Sequence, residues 1–168
     1  MRKLNHLGLM LLISLILVAC GSNSDDDGNN NDDTAQFVVD VDGVRKEIGF
    51  ANGQYSNDGR LVLVSGITGF GDPNGGFALG VSVGTISSSG PVITAGTYNS
   101  SDSNAKIIFT PGGEEPFESN STVATAEIII TEINTNSQTI SGTFEGTVKR
   151  ADETMELTNG EFNEVSYN

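Results

Sequence analysis

Residues 139–150 read TISGTFEGTVKR, and their alternation decides the fold class. Ile140, Phe144 and Val148 point one way, while Ser141, Thr143, Glu145 and Lys149 point the other. A period of two belongs to a β-strand with one buried face, because successive side chains leave a pleated backbone on opposite sides. Downstream, Ala151-Asp152-Glu153 supplies a turn, Met155 and Leu157 resume the pattern, and Phe162 and Val165 close it. Upstream, Asn134 to Ser137 supplies another turn, and residues 123–133 set Ile128 and Ile130 on one face with Ile129 opposite.

The same rhythm runs back to residue 36. Residues 106–110 and 94–98 are short strand candidates. Residues 77–86 place Phe77, Leu79, Val81 and Val83 on one side, with Gly80, Ser82 and Gly84 on the other. Leu61 to Val64 is a short run that is apolar on both faces. Phe37, Val39 and Val41 share a face, and Asp42-Gly43 makes a tight hairpin turn into a strand over 44–50. No stretch after residue 36 holds an apolar period of 3.6 for three turns, so helices are not expected. The pattern predicts an all-β fold: one antiparallel domain over 36–168, of about eight to ten strands, as a curved barrel-like sheet or a β-sandwich. Gly80, Gly84, Gly142 and Gly146, read as standing opposite apolar faces, predict bent strands or close sheet packing and so favour curvature. A chain of this size buries roughly two-thirds of its unfolded surface, so no disulfide or metal staple is needed.

Charge and reactive groups narrow the chemistry. The 168 residues carry a formal charge of −14; without Arg2 and Lys3, which stand in the leading segment, six basic residues face 22 acidic ones, or −16. Such a surface repels phosphate backbones, so nucleic acid is not an expected partner, and divalent cations are the one class that the acidity favours. The single histidine is His6 and the single cysteine is Cys20. The β domain therefore offers no imidazole base, no thiol nucleophile and no soft metal ligand, and neither a cofactor nor a metal is expected.

The leading segment has a separate logic. Arg2 and Lys3 precede an apolar run of 13 residues, Leu7 to Ala19. A membrane-spanning helix needs about 20, so residues 1–19 read as a cleaved secretory signal. The run ends in Leu17-Val18-Ala19-Cys20-Gly21, which resembles the lipobox of bacterial lipoproteins. The resemblance implies cleavage before Cys20 and diacylglycerol on its sulfur, and acyl chains at about 0.8 kcal/mol per buried methylene hold firmly to a membrane. Residues 20–35 form a polar tether rich in Asp, Asn and Ser, and the spacing of an EF-hand calcium loop is missing from it. Ser24-Asp25-Asp26-Asp27 resembles the export signal of Bacteroidota surface lipoproteins, which implies an outer-membrane location with display on the cell surface. Finally, the segments EIIITEINTNSQTISGTF (127–144) and LTNGEFNEVSY (157–167), with Ala95 to Tyr98 before them, resemble the closing part of small Bacteroidota lipoproteins of unknown function. What this implies is an all-β domain behind a lipid anchor, with no catalytic or binding residue to carry over.

The functional inventory is thin. Carboxylates at about 5 to 9 Å can hydrolyse glycosides, and Glu127, Glu132, Glu145 and Glu156 are the strand-borne candidates, but Glu145 and Glu156 fall on the solvent face. Two long Gly- or Pro-bearing connections, 69–76 and 111–122, are where a rigid β scaffold would carry ligand contacts, with Phe70, Asp72, Asn74 and Phe117 as the candidate residues. The expectation is a non-enzymatic, lipid-anchored envelope protein, held to the membrane by its lipid, whose β domain binds a ligand, a glycan or a neighbouring envelope protein. The alternatives are a spacer without a small ligand and a carboxylate-dependent glycoside hydrolase. A lined cavity would favour a ligand, and a solid core with an apolar outer patch would favour protein association. Two acids facing one another in a cleft would favour the hydrolase.

Overall fold

The computed structural model describes residues 35–56, 58–69, 76–85, 90–101, 104–119 and 123–168. The expected signal segment 1–19, Cys20, Ser24, Asp25, Asp26 and Asp27, and the loop residues Phe70, Asp72 and Asn74 lie outside them.

The strands are β1 (Phe37–Val41), β2 (Val44–Ile48), β3 (Phe50–Tyr55), β4 (Leu61–Thr68), β5 (Phe77–Gly84), β6 (Gly96–Asn99), β7 (Lys106–Pro111), β8 (Phe117–Glu118), β9 (Ala126–Asn134), β10 (Thr139–Arg150) and β11 (Glu153–Ser166). They form one antiparallel sheet in the order β2-β1-β11-β10-β8-β7-β5-β4-β3, with β9 also beside β10 and β6 beside β9. The two ends of this path are neighbours in sequence: Gly49 alone separates β2 from β3. A single parallel bridge from Gly53 to Tyr167 ties β3 to the end of β11. The sheet is therefore a nearly closed barrel, and the curved form, not the sandwich, is the one adopted.

The strand expected over 44–50 is two strands. The chain turns at Gly49, so that β2 pairs β1 and β3 pairs β4. The sequence of β3, FANGQY, has no apolar alternation, which is why it escapes a pattern reading. At the β1–β2 hairpin, Asp42 and Gly43 both have positive φ, 49° and 77°, the conformation that lets a two-residue turn match the twist of its strands.

The barrel interior is filled. Alternate residues from every strand but β3 and β6, among them Val39, Val64, Leu79, Ile107, Phe117, Ile128, Phe144 and Leu157, make one buried cluster. Phe37 stands edge-on to Phe144 and Phe162, with ring centroids 5.8 and 6.3 Å apart. Each such ring removed from water stabilises the fold by about 1.5–3 kcal/mol. At the barrel closure the Tyr55 hydroxyl donates to the Ile93 carbonyl at 3.2 Å and its ring meets that of Tyr167 edge-on. Burial, and then the neighbouring Tyr167 and Tyr98, raise its pKa above the ordinary phenol value.

Curvature comes from β11. Between Phe144↔Gly160 and Gly146↔Leu157, and again between Ile140↔Val165 and Gly142↔Phe162, β11 spends one residue more than β10. Asn159 and Glu164 sit in these bulges with φ of 49° each. Extra residues increase local twist and bend the sheet. Gly142, expected opposite the apolar face, lies on the inner face instead: a methyl there would strike the Ile129 carbonyl and the Phe162 ring. A methyl on Gly160 would come within 2.6 Å of the Phe144 ring. Gly80 has the opposite character, with nothing within 4 Å of an added Cβ.

Candidate functional site

Among the described residues the outer face of the barrel carries open grooves, and its two halves differ. On β3, β4, β5 and β7 the outward residues pair in two rows. One row is Phe50, Ile67, Ala78 and Thr110; the next is Asn52, Ser65, Gly80 and Ile108. Phe50 is 67 % exposed and Ile67 36 %. Between them the bare backbone of Gly80 and the short side chains of Ala78 and Ser65 leave an open trough of about 400 Å³ with no charged residue in its lining. Among the described residues no strand or loop covers these apolar side chains, and such a patch marks an interaction surface more often than an accident of composition.

On β9, β10 and β11 the outward residues are mostly acids and threonines, with Ile129, Ser141 and Lys149 among them. Glu127 stands directly opposite Glu145, Thr143 opposite Glu161, and Thr147 opposite Glu156. Two adjoining open grooves, each of about 400 Å³, run over these strands and share Glu127 and Glu145 in their linings. Like charges directly opposed on neighbouring strands destabilise a sheet by a few tenths to about 1 kcal/mol. Arg45 reaches the rim, 3.6 Å from Asp40, whose other carboxylate oxygen accepts from the Asn159 amide at 2.8 Å. Among the described residues no group of three or more His, Cys, Asp or Glu side chains is set to hold a metal ion.

The strand-borne acids weighed as catalytic thus fall into two sets. Glu127, Glu145 and Glu156 share one groove, and Glu132 does not line it. The groove does bring acids face to face, as a hydrolase needs, but Glu145 and Glu156 are exposed. A general acid is ordinarily made by burying a carboxyl, and that environment is missing for these two. Of the loop candidates, Phe117 is corrected. It lies in β8, wholly buried, with the Arg150 guanidinium 4.2 Å above its ring, because the crossover from β7 turns the ring into the core. Phe50, Ile67, Ile108 and Gly80 escaped the sequence reading as a site. Their one signal was the two-sided apolar run at Leu61 to Val64, which placed Leu61 and Leu63 on the outward face of β4 that also carries Ile67.

A family model for a domain of unknown function, DUF6252, matches residues 82–166, half of the 168-residue chain. The chain belongs to the DUF6252 family. The matched DUF6252 segment runs from the end of β5 through β11 and contains Glu127, Glu145, Glu156 and Glu161. Phe50, Ile67, Ala78 and Gly80 precede the DUF6252 segment, while Ile108 lies within it. No curated protein and no solved structure matches the chain.

Proposed function

We propose that this protein is a lipid-anchored envelope lipoprotein of the Bacteroidota kind, displayed on the outer-membrane surface, whose β barrel binds another envelope protein through the trough around Gly80. One observation carries the binding half of this reading: the barrel interior is packed, while the outer face of β3, β4, β5 and β7 exposes Phe50 and Ile67 beside an unfilled, uncharged hollow. Among the described residues the packed core shows no lumen for an apolar ligand, and the open hollow would bury too little of a small molecule to hold it. A protein side chain backed by a wider contact meets no such limit. The address rests on the resemblance of Cys20 and its flank to a lipobox and of Ser24 to Asp27 to a surface-export signal.

Three experiments test the two halves separately. Cys20→Ala is expected to leave the protein uncut or free of membrane; a processed variant that still fractionates with lipid would sink the anchor. Replacing Asp25, Asp26 and Asp27 by Ala is expected to hide the protein from protease added to intact cells, and unchanged cleavage would sink the display. For the trough, Gly80→Leu starts a side chain in open space, since nothing lies within 4 Å of a Cβ added there. Envelope proteins co-purified with the wild type after cross-linking are expected to be lost in this variant, and their retention would refute the trough as the contact.

The shared groove of Glu127, Glu145 and Glu156 favours a second reading, a carboxylate-dependent glycoside hydrolase. It requires that wild type cleave a panel of envelope and host glycans and that Glu127→Gln or Glu145→Gln abolish the cleavage. A panel that yields no reducing ends from the wild type removes it.

A further inference from the structure

Arg150, at the end of β10, gathers contacts from three other segments. Its Nη1 meets Glu114 Oε2 at 2.5 Å and donates to the Glu115 carbonyl at 3.1 Å, both in the crossover over residues 112–116 that joins β7 to β8. Its Nη2 meets Glu153 Oε2 at 2.7 Å at the start of β11. Its guanidinium lies over the Phe117 ring.

The crossover and β8 have few other ties, although β10 and β11 pair at ten positions and the Lys106 ammonium meets Glu118 Oε2 at 2.9 Å. β8 is two residues long, paired to β10 only through Lys149↔Glu118 and to β7 through two positions. Within 112–116 the Glu114 amide donates to the Pro111 carbonyl at 3.1 Å. Just past β8 the chain is fixed again. Buried Ser119 donates its amide to the Ile107 carbonyl and accepts the Ile107 amide on its hydroxyl at 2.7 Å. Yet Phe117 is 0 % exposed. A two-residue strand does not shield a phenyl ring alone, and the guanidinium supplies the roof.

We infer that Arg150 is an ionic latch: it clips the 112–116 crossover to the β10–β11 hairpin and, when released, lets the crossover lift from a firm point at Ser119 and uncover Phe117. Isolated exposed ion pairs contribute little, but this side chain is only 26 % exposed and serves two carboxylates, a carbonyl and a ring from one position. The carboxylates are the weak members, since Glu114 and Glu153 are 53 % and 67 % exposed and salt reaches them. The aromatic ring that the sequence offers as a loop contact thus stays covered while the pairs hold.

The latch is tested by amide hydrogen exchange on the folded β domain and on two variants. The double variant Glu114→Gln, Glu153→Gln keeps Arg150 over Phe117 and removes both pairs; Arg150→Met keeps an apolar cover and removes all charge. Both are expected to speed exchange of the Glu114 amide and its neighbours about tenfold, with Ser119 and the amides of β9 and β10 unchanged. Raising wild-type salt to about 1 M is expected to give the same local rise, and to give none in either variant. Unchanged exchange at 112–116 in the double variant overturns the latch. So does a rise that spreads equally through β9 and β10, because the residue would then hold the whole barrel.

Discussion

Gly80 and Gly142 sit in strands of the same sheet and have opposite surroundings. A methyl on Gly142 would strike the Ile129 carbonyl and the Phe162 ring, whereas a methyl on Gly80 would meet nothing. Around Gly142 the missing side chain lets β9, β10 and the phenyl rings close on one another. Around Gly80 it leaves a hollow in the outer face, flanked by Phe50 and Ile67. Glycine at these two positions therefore serves two ends: close contact within the fold at Gly142, and an open hollow on the outer face at Gly80.

The aromatic residues give the widest margin between the halves. Phe162→Ala, in the packed half, is expected to cost about 3–5 kcal/mol in denaturant unfolding, while Phe50→Ala should stay within about 0.5 kcal/mol. Equal losses at the two positions would mean that the trough is part of the core. The glycines come next. Gly142→Ala should destabilise by about 1–3 kcal/mol through overpacking. Gly80→Ala should stabilise by about 0.4–1 kcal/mol, because the strand conformation is open to alanine and the unfolded chain loses freedom. Gly142→Ala at wild-type stability would contradict the contrast between the two sites.

Smaller effects come from charge. Glu145→Lys turns a repulsive cross-strand pair with Glu127 into an attractive one, and a gain of about 0.5 kcal/mol at low salt, fading at high salt, is expected from thermal melts. The smallest concerns Asp58, in the connection between β3 and β4. The Ser56 hydroxyl, bonded to it at 2.8 Å, holds its carboxyl below the usual range, helped by the Arg60 backbone amide and guanidinium. A depressed folded-state pKa stabilises the native state above the unfolded value, and that stability is lost as pH falls through the folded one. Asp58→Asn should therefore slightly lower stability at neutral pH and flatten the acid limb of stability against pH, leaving stability below the folded-state pKa unchanged.

Much of the barrel was legible because alternation is local. Ile140, Phe144, Val148, Ile128 and Ile130 point inward as their spacing demands, and Asp42-Gly43 turns where its residues allow positive φ. The split at Gly49 was not legible, since a change of strand partner is decided by tertiary pairing and FANGQY carries no period. Phe117 looked like a loop contact because two strand residues make no pattern. The trough was hidden for a related reason: Phe50, Ile67, Gly80 and Ile108 come from four strands, and only the register places them side by side.

Photo-cross-linking in intact cells is the most direct comparison of the two faces, with a reactive side chain placed at position 50 beside the trough or at position 156 in the acidic groove. A discrete adduct from position 50 that disappears in the Gly80→Leu background, with none from position 156, is the expected result. An adduct confined to position 156, or one from position 50 that survives Gly80→Leu, would contradict the assignment of the trough as the binding face.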